Sequence, residues 1–206
     1  MKRPQVVAGD VPADIAEIFR KSSELAIDCE MMGLNPNRDR LCIVQIMVEK
    51  GPCVLVQVDE SAGAPEMRAL FENPDIIKIF HYARTDLLFL KMRLGIDTRN
   101  VYCTKIASRL ARTYTDRHGL KELVREIIGE SMDKSLQSSD WGREKLTEEQ
   151  VTYAAYDVAY LFQIKRELEK MLVREQRREL ATRLFDFLPV RLELDRHGFA
   201  LDLFEH

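Results

Sequence analysis

At 206 residues the chain has the length of one mid-sized domain, and its 46% hydrophobic and 32% charged residues are the balance of a folded globular protein. A net charge of −3 excludes a generally basic surface, so any affinity for nucleic acid has to come from a local site. No apolar run approaches the roughly 18 residues of a membrane span, and MKRPQVVAGDVPADIAEIF lacks the apolar stretch of a signal peptide. The four cysteines, Cys29, Cys42, Cys53 and Cys103, form no C-x-x-C pair. That argues against a zinc site or a disulfide framework and places the expectation on free thiols in the cytoplasm.

In chain order, Leu25–Cys29 and Leu41–Val48 read as strands joined by the turn-rich Gly33-Leu34-Asn35-Pro36-Asn37, the pattern of a hairpin. Val54–Val58 reads as a third strand, Ala64–Glu72 as a short helix, and Ile76–Phe80 as another strand. A helix over about Thr85–Leu94 stops near Gly95, and two more are expected over Cys103–Arg112 and Leu120–Ile128. Ser131–Arg143 is a polar loop. Thr147, with Gln150 three residues on, gives a capping box that opens a long helix. Its apolar residues Val151, Ala154, Ala155, Val158, Leu161 and Phe162 recur at helical spacing. Helical pattern is expected to run to Leu188 and break at Pro189, with RLELDRHGFALDLFEH strand-like or extended beyond. The whole is an α/β reading: a hairpin-led mixed sheet flanked by helices, one domain over residues 1–206, with no repeat or linker.

Four carboxylates stand out against this background. Asp28 and Glu30 end an apolar strand two residues apart, so period-2 alternation turns both to one face. Burying two such charges unpaired costs several kcal/mol, and a hard divalent cation held by oxygen ligands is a fitting compensation. The plainer possibility is a pair solvated beyond the sheet edge. Asp157 lies mid-helix in YAAYDVAYL with Tyr153 four residues before it on the same helix face, the alternative being an exposed aspartate above a core tyrosine. Asp86, in IFHYARTDLLFL, falls between strand and helix, where a first-turn carboxylate facing the helix dipole is the competing account.

The order of these elements resembles the DEDD superfamily of 3′→5′ exonucleases. AIDCEMMGL, HYARTD and YAAYD match its three motifs, and Tyr153, rather than a histidine at the position of Thr152, marks the tyrosine branch. GLKELVREIIGESMDKSLQSSDW is similar to ribonuclease D between the second and third motifs. The resemblance spans about residues 22–170, leaving a helical or extended part over about 171–206. It lacks room for the accessory helical domains of full ribonuclease D, and the shortness and the LPVRLELD tail look more like the nanoRNase C type.

The resemblance implies a ribonuclease H-like sheet and two Mg²⁺ or Mn²⁺ ions. Asp28, Glu30 and Asp157 would hold one ion, Asp28 also the other, Asp86 would act directly or through water, and Tyr153 would orient the attacking water. Leu34 would wedge between the terminal bases, unless it is ordinary core. Lys134, Gln137 and Ser138 are placed to contact substrate, with Ser139 a further donor, unless the loop is solvated and anchored by Trp141. His81 and Arg84 are two further candidate contacts, although His81 also suits a satisfied buried histidine. The implied substrate is single-stranded or very short RNA, dinucleotides especially, with DNA an open alternative. Trimming of tRNA 3′ ends and a non-catalytic RNA-binding module are the competing functions. No membrane partner is expected, and a homo-oligomer, an octameric ring, is.

Overall fold

The computed structural model describes residues 3–132, 136 and 138–199. Its centre is a six-stranded sheet of β1 (Gln5–Ala8), β2 (Glu24–Met31), β3 (Leu41–Met47), β4 (Cys53–Gln57), β5 (Ile77–Phe80) and β6 (Val101–Cys103), in the order β1-β4-β3-β2-β5-β6. β2, β3 and β4 form an antiparallel meander, while β5 joins β2, β6 joins β5 and β1 joins β4 in parallel. β3 is buried along its whole length, as expected of a strand covered on both faces.

The helices are α1 (Ala13–Arg20), α2 (Pro65–Phe71), α3 (Ala83–Leu94), α4 (Thr104–Ala111), α5 (Leu120–Leu123, widening into a π turn over Val124–Ile128), α6 (Glu148–Ala159), α7 (Leu161–Arg174) and α8 (Arg178–Arg196). The expected capping box is present at the start of α6: Thr147 Oγ1 accepts from the Gln150 amide at 3.2 Å, and the Gln150 side chain accepts from the Thr147 amide at 2.9 Å. The helix periodicity expected from Thr147 onward is divided at Tyr160, so Val158 closes α6 and Leu161 opens α7. α6 packs across β2, β3 and β4, which brings its inner face over the centre of the sheet.

Three expectations are corrected. Pro189 does not end a helix: α8 runs through it to Arg196. Proline removes one N–H bond, but Phe185, Leu188 and Leu192 bury one face of α8 on both sides of it. Ion pairs from Glu193 to Lys91 and from Asp195 to Arg84 also tie its last turns to α3. The part of the tail read as strand-like is therefore helical up to Arg196, and residues 200–206 lie outside the described residues. Cys103 belongs to β6 rather than to the following helix, which starts at Thr104. The N-terminal segment, where the sequence pattern predicts no element, forms β1 and α1.

Candidate active site

The site forms where β2 leaves the sheet. Alternation along β2 buries Cys29 and turns Asp28 and Glu30 together, and the pairing with β3 shifts register between Glu30 and Met31. Such a bulge re-aims the side chains next to it. Asp157 comes down from α6, and carboxylate oxygens of Asp28, Glu30 and Asp157 all lie within 4.8 Å of one another. Asp86, in the first turn of α3, is buried and close enough for its charge to act on both Asp28 and Glu30. The four carboxylates that the sequence singled out thus occupy one place.

Their electrostatics are those of a site lacking its counter-charge. Burial pushes the Glu30 carboxyl up to about 9, with Asp157 and Asp86 adding to it and a hydrogen bond from Gln45 opposing. Asp28 is raised well above the carboxylate range by burial, then by Asp86, Asp157 and Glu30, and burial likewise raises Asp86. Among the described residues, the charges that shift Asp28 and Glu30 are all negative. A hard divalent cation answers both problems, since it takes oxygen ligands and neutralises them. Opposite ligands of an octahedral ion with bonds of about 2.1 Å stand about 4.2 Å apart. The observed spread closes to that with a small side-chain adjustment. The donor set therefore fits Mg²⁺ or a similar ion. The Cys29 thiol is also pushed up, by burial first, which keeps it protonated and outside that donor set.

Tyr153 is half-buried beside Asp157, and its phenol is bonded to that carboxylate. Burial first, then Asp157, Glu30 and Asp28, raise its pKa so far that the phenol keeps its proton and serves as a donor. Behind it stands Trp141, with ring centroids 6.0 Å apart at 42°. A cavity of about 710 Å³ opens on the other side of Tyr153, bordered by Tyr156, Tyr160, Glu130, Glu148 and Glu149. Its glutamates make it poorly suited to a polyanion.

Gln45 was not read from the sequence. It faces Asp28 across the β2–β3 ladder, is fully buried, and donates to Glu30 Oε1 at 3.4 Å. The signal was there: an amide in the otherwise apolar LCIVQIMV, in register with the acidic pair.

The remaining candidates separate. Leu34 is 81% exposed, which removes the core reading. Its loop is fixed by Asp39, which accepts from the Asn35 amide at 2.9 Å, and a Cβ on Gly33 would stand 2.2 Å from Asp39 Oδ2, so a larger residue there would push the carboxylate out of that bond. His81 is half-buried with Nδ1 2.9 Å from Thr104 Oγ1. That hydroxyl donates to the Phe80 carbonyl, so it accepts from His81, and the proton sits on Nδ1. Arg84 forks onto Asp195 at 2.7 and 2.5 Å, an ion pair that occupies its guanidinium. Ser138 is exposed, Ser139 accepts from Gln150 Nε2 at 2.8 Å, and Trp141 is buried as the anchor of the loop. Lys134 and Gln137 lie outside the described residues.

Against known proteins, residues 6–173 match a family model described as a 3′-5′ exonuclease. Ribonuclease D of Acidiphilium cryptum is 30% identical over 153 residues, 74% of this chain and 39% of its own length. Ribonuclease D of Xanthomonas oryzae pv. oryzae is 39% identical over 157 residues, 76% of this chain and 43% of its own length. The chain thus spans about two fifths of the curated relatives it matches. Among solved structures, Brucella melitensis NrnC bound to pGG superposes with a TM-score of 0.93 at 43% identity, covering 100% of both chains. The same protein with bound Mg²⁺ gives 0.91 at 43% identity, covering 98% of both. Escherichia coli RNase D, at 23% identity and a TM-score of 0.80, covers 92% of this chain and 50% of its own and shares the fold.

Proposed function

Because the chain belongs to the 3′-5′ exonuclease family, on its ribonuclease D-like side and close to NrnC, we propose that it removes nucleotides from the 3′ ends of very short RNA, dinucleotides above all. The observation that carries this reading is the meeting of Asp28, Glu30 and Asp157 within one ligand shell, with Asp86 acting on the first two, beside a tyrosine that keeps its proton. Asp28, Glu30 and Asp157 would hold one divalent ion and Asp28 also the second, with Asp86 alongside; Mg²⁺ and Mn²⁺ both suit the oxygen set. When bound, the ions supply positive charge to the attacking and leaving oxygens of the phosphodiester.

The protein's own groups do the positioning. Tyr153, whose phenol donates to Asp157, orients the water for attack on phosphorus by accepting from it through the phenolic oxygen. The P–O3′ bond breaks as the new P–O bond forms. The terminal residue leaves as a nucleoside 5′-monophosphate, and the upstream nucleotide keeps a 3′-hydroxyl. Gln45 holds Glu30 against β3, and Leu34, projecting from its braced loop, separates the terminal base from its neighbour.

The short-substrate reading is supported by the near-neutral charge and by the likeness to a protein whose structure holds pGG. Comparison of 5′-labelled RNAs of two, five and twenty nucleotides tests it: the dinucleotide should be cut at least as efficiently as the longest. Binding should depend weakly on salt, with a log–log slope nearer about −2 than −6. A strong preference for the twenty-mer with a steep slope favours stable-RNA trimming instead, and an absence of cutting in Mg²⁺ and Mn²⁺ favours a binding module. The cytoplasm suits four buried free thiols. Assembly into a homo-oligomer, an octameric ring, is supported by Leu180, Leu184 and Phe187, exposed along one face of α8. Light scattering should then give a mass well above 23.9 kDa.

A further inference from the structure

The carboxyl edge of the sheet carries a second built feature beside the carboxylates. Parallel strands β2, β5 and β6 run side by side toward it, Ala26 pairing with Ile79 and Phe80 with Cys103; β5 and β6 end at Phe80 and Cys103 while β2 runs on to Met31. Past β5 and β6 the chain turns into α3 and α4, and the residues that follow the two strands still meet. His81 stands by Thr104, and Tyr82 by Lys105, whose ammonium lies 3.9 Å from the centre of the Tyr82 ring. Tyr82 stands four residues, about one helical turn, before Asp86, whose charge acts on Asp28 and Glu30, so the Tyr82–Lys105 pair borders the carboxylate cluster.

Nothing in the fold explains a tyrosine at this position. Tyr82 is the N-cap of α3 with φ 66°, ψ 45°, left-handed backbone that glycine or asparagine adopts with less strain. Its side chain makes no capping bond, and the residue is 45% exposed instead of joining the core. Strained backbone of this kind concentrates at ligand clamps. The ring and the ammonium together offer what a nucleotide needs, an aromatic surface for a base and positive charge for its backbone. They also lie at an edge where Arg84 is already committed to Asp195.

We propose that Tyr82 and Lys105 form the subsite for the nucleotide on the 5′ side of the cut, the ring against its base and the ammonium beside its sugar-phosphate backbone. This rests on the exonuclease reading of the neighbouring carboxylates and adds to it the place where the retained part of the substrate is gripped. It also ties the preference for short RNA to a contact beyond the terminal residue.

Two substrates separate this contact from the chemistry: a ribodinucleotide, and the p-nitrophenyl ester of a nucleoside 5′-monophosphate, which has no 5′-side nucleotide. The quantity read is the ratio of kcat/KM for the dinucleotide to that for the ester, so any damage to the metal centre divides out. Tyr82→Gly, which the left-handed backbone accepts, and Lys105→Gln should each lower that ratio by about tenfold, mainly through KM for the dinucleotide. Tyr82→Phe and Lys105→Arg should keep most of it. A ratio within about twofold of the parent in both Tyr82→Gly and Lys105→Gln overturns the subsite while leaving the exonuclease reading intact. A parent protein that cleaves neither substrate in Mg²⁺ or Mn²⁺ overturns both.

Discussion

The two ends of β5 bury charge in opposite ways. Near its start Lys78 is fully buried, and its ammonium donates to the carbonyls of Asn73 at 2.6 Å and Ile76 at 2.7 Å. Burial pulls its pKa down to about 8, yet its hydrogen bonds are met locally. Past the other end, four carboxylates converge, and among the described residues the charges that shift Asp28 and Glu30 are those of the other carboxylates. A buried charge whose bonds the backbone completes is part of the structure. Like charges gathered without compensation cost stability and persist only when something else binds them. The contrast separates a structural lysine from a candidate metal centre without reference to any relative.

The contrast is tested first by neutralising one carboxylate. Asp28→Asn or Asp157→Asn should reduce exonuclease turnover by roughly 10³-fold, about 4 kcal/mol of barrier. The metal-free protein should become more heat-stable, since a repelling charge is gone. Loss of the fold along with the activity would make the cluster structural, like Lys78. Tyr153→Phe should come next, lowering kcat by roughly 10- to 100-fold with KM little changed, because the phenol acts on the transition state. An unaltered kcat would return Tyr153 to packing against Trp141.

Two smaller effects concern pH. The Glu30 carboxyl moves from 4.5 to about 9 on folding, so between those values the folded protein holds a proton that the unfolded chain has released. Metal-free stability should therefore fall as pH rises across that window. Added Mg²⁺ should reverse the fall, and its affinity should increase with pH as it displaces protons. Thermal melts with and without Mg²⁺ at pH 6 and pH 9 read this directly, and a flat metal-free profile would contradict it. Lys78 carries the opposite sign: its pKa drops from 10.5 to about 8, so the unfolded chain binds the extra proton and stability gains as pH rises through that interval. Lys78→Met should flatten that gain while leaving Mg²⁺ dependence unchanged.

Much of the site was legible because its signals are local. Alternation along β2 announced that Asp28 and Glu30 share a face, and helical spacing joined Tyr153 to Asp157. The capping box located the start of α6 at Thr147. The mixed sheet followed from the hairpin and the strand runs, but β6 did not, since its three residues become a strand only by pairing with β5. Pro189 misled for the same reason in reverse: a local breaker is overruled by burial and by ion pairs to residues far back in the chain. Arg84 looked free to meet a substrate because its partner Asp195 stands 111 residues away. Exposure is also a tertiary property, so Leu34 could not be assigned to surface or core until its loop was seen.

The placement of Asp157 on α6 has a consequence for how the molecule comes into being. β2 and α3 supply three carboxylates early in the chain, and the fourth arrives only when α6 docks across β2, β3 and β4. A nascent chain that has not yet released α6 from the ribosome holds a partial donor set and lacks the tyrosine, so the site is completed only late in synthesis. Contacts so distant in sequence form late in folding. A metal that needs Asp157 therefore acts chiefly after the barrier, slowing the unfolding of the finished protein more than it hastens folding.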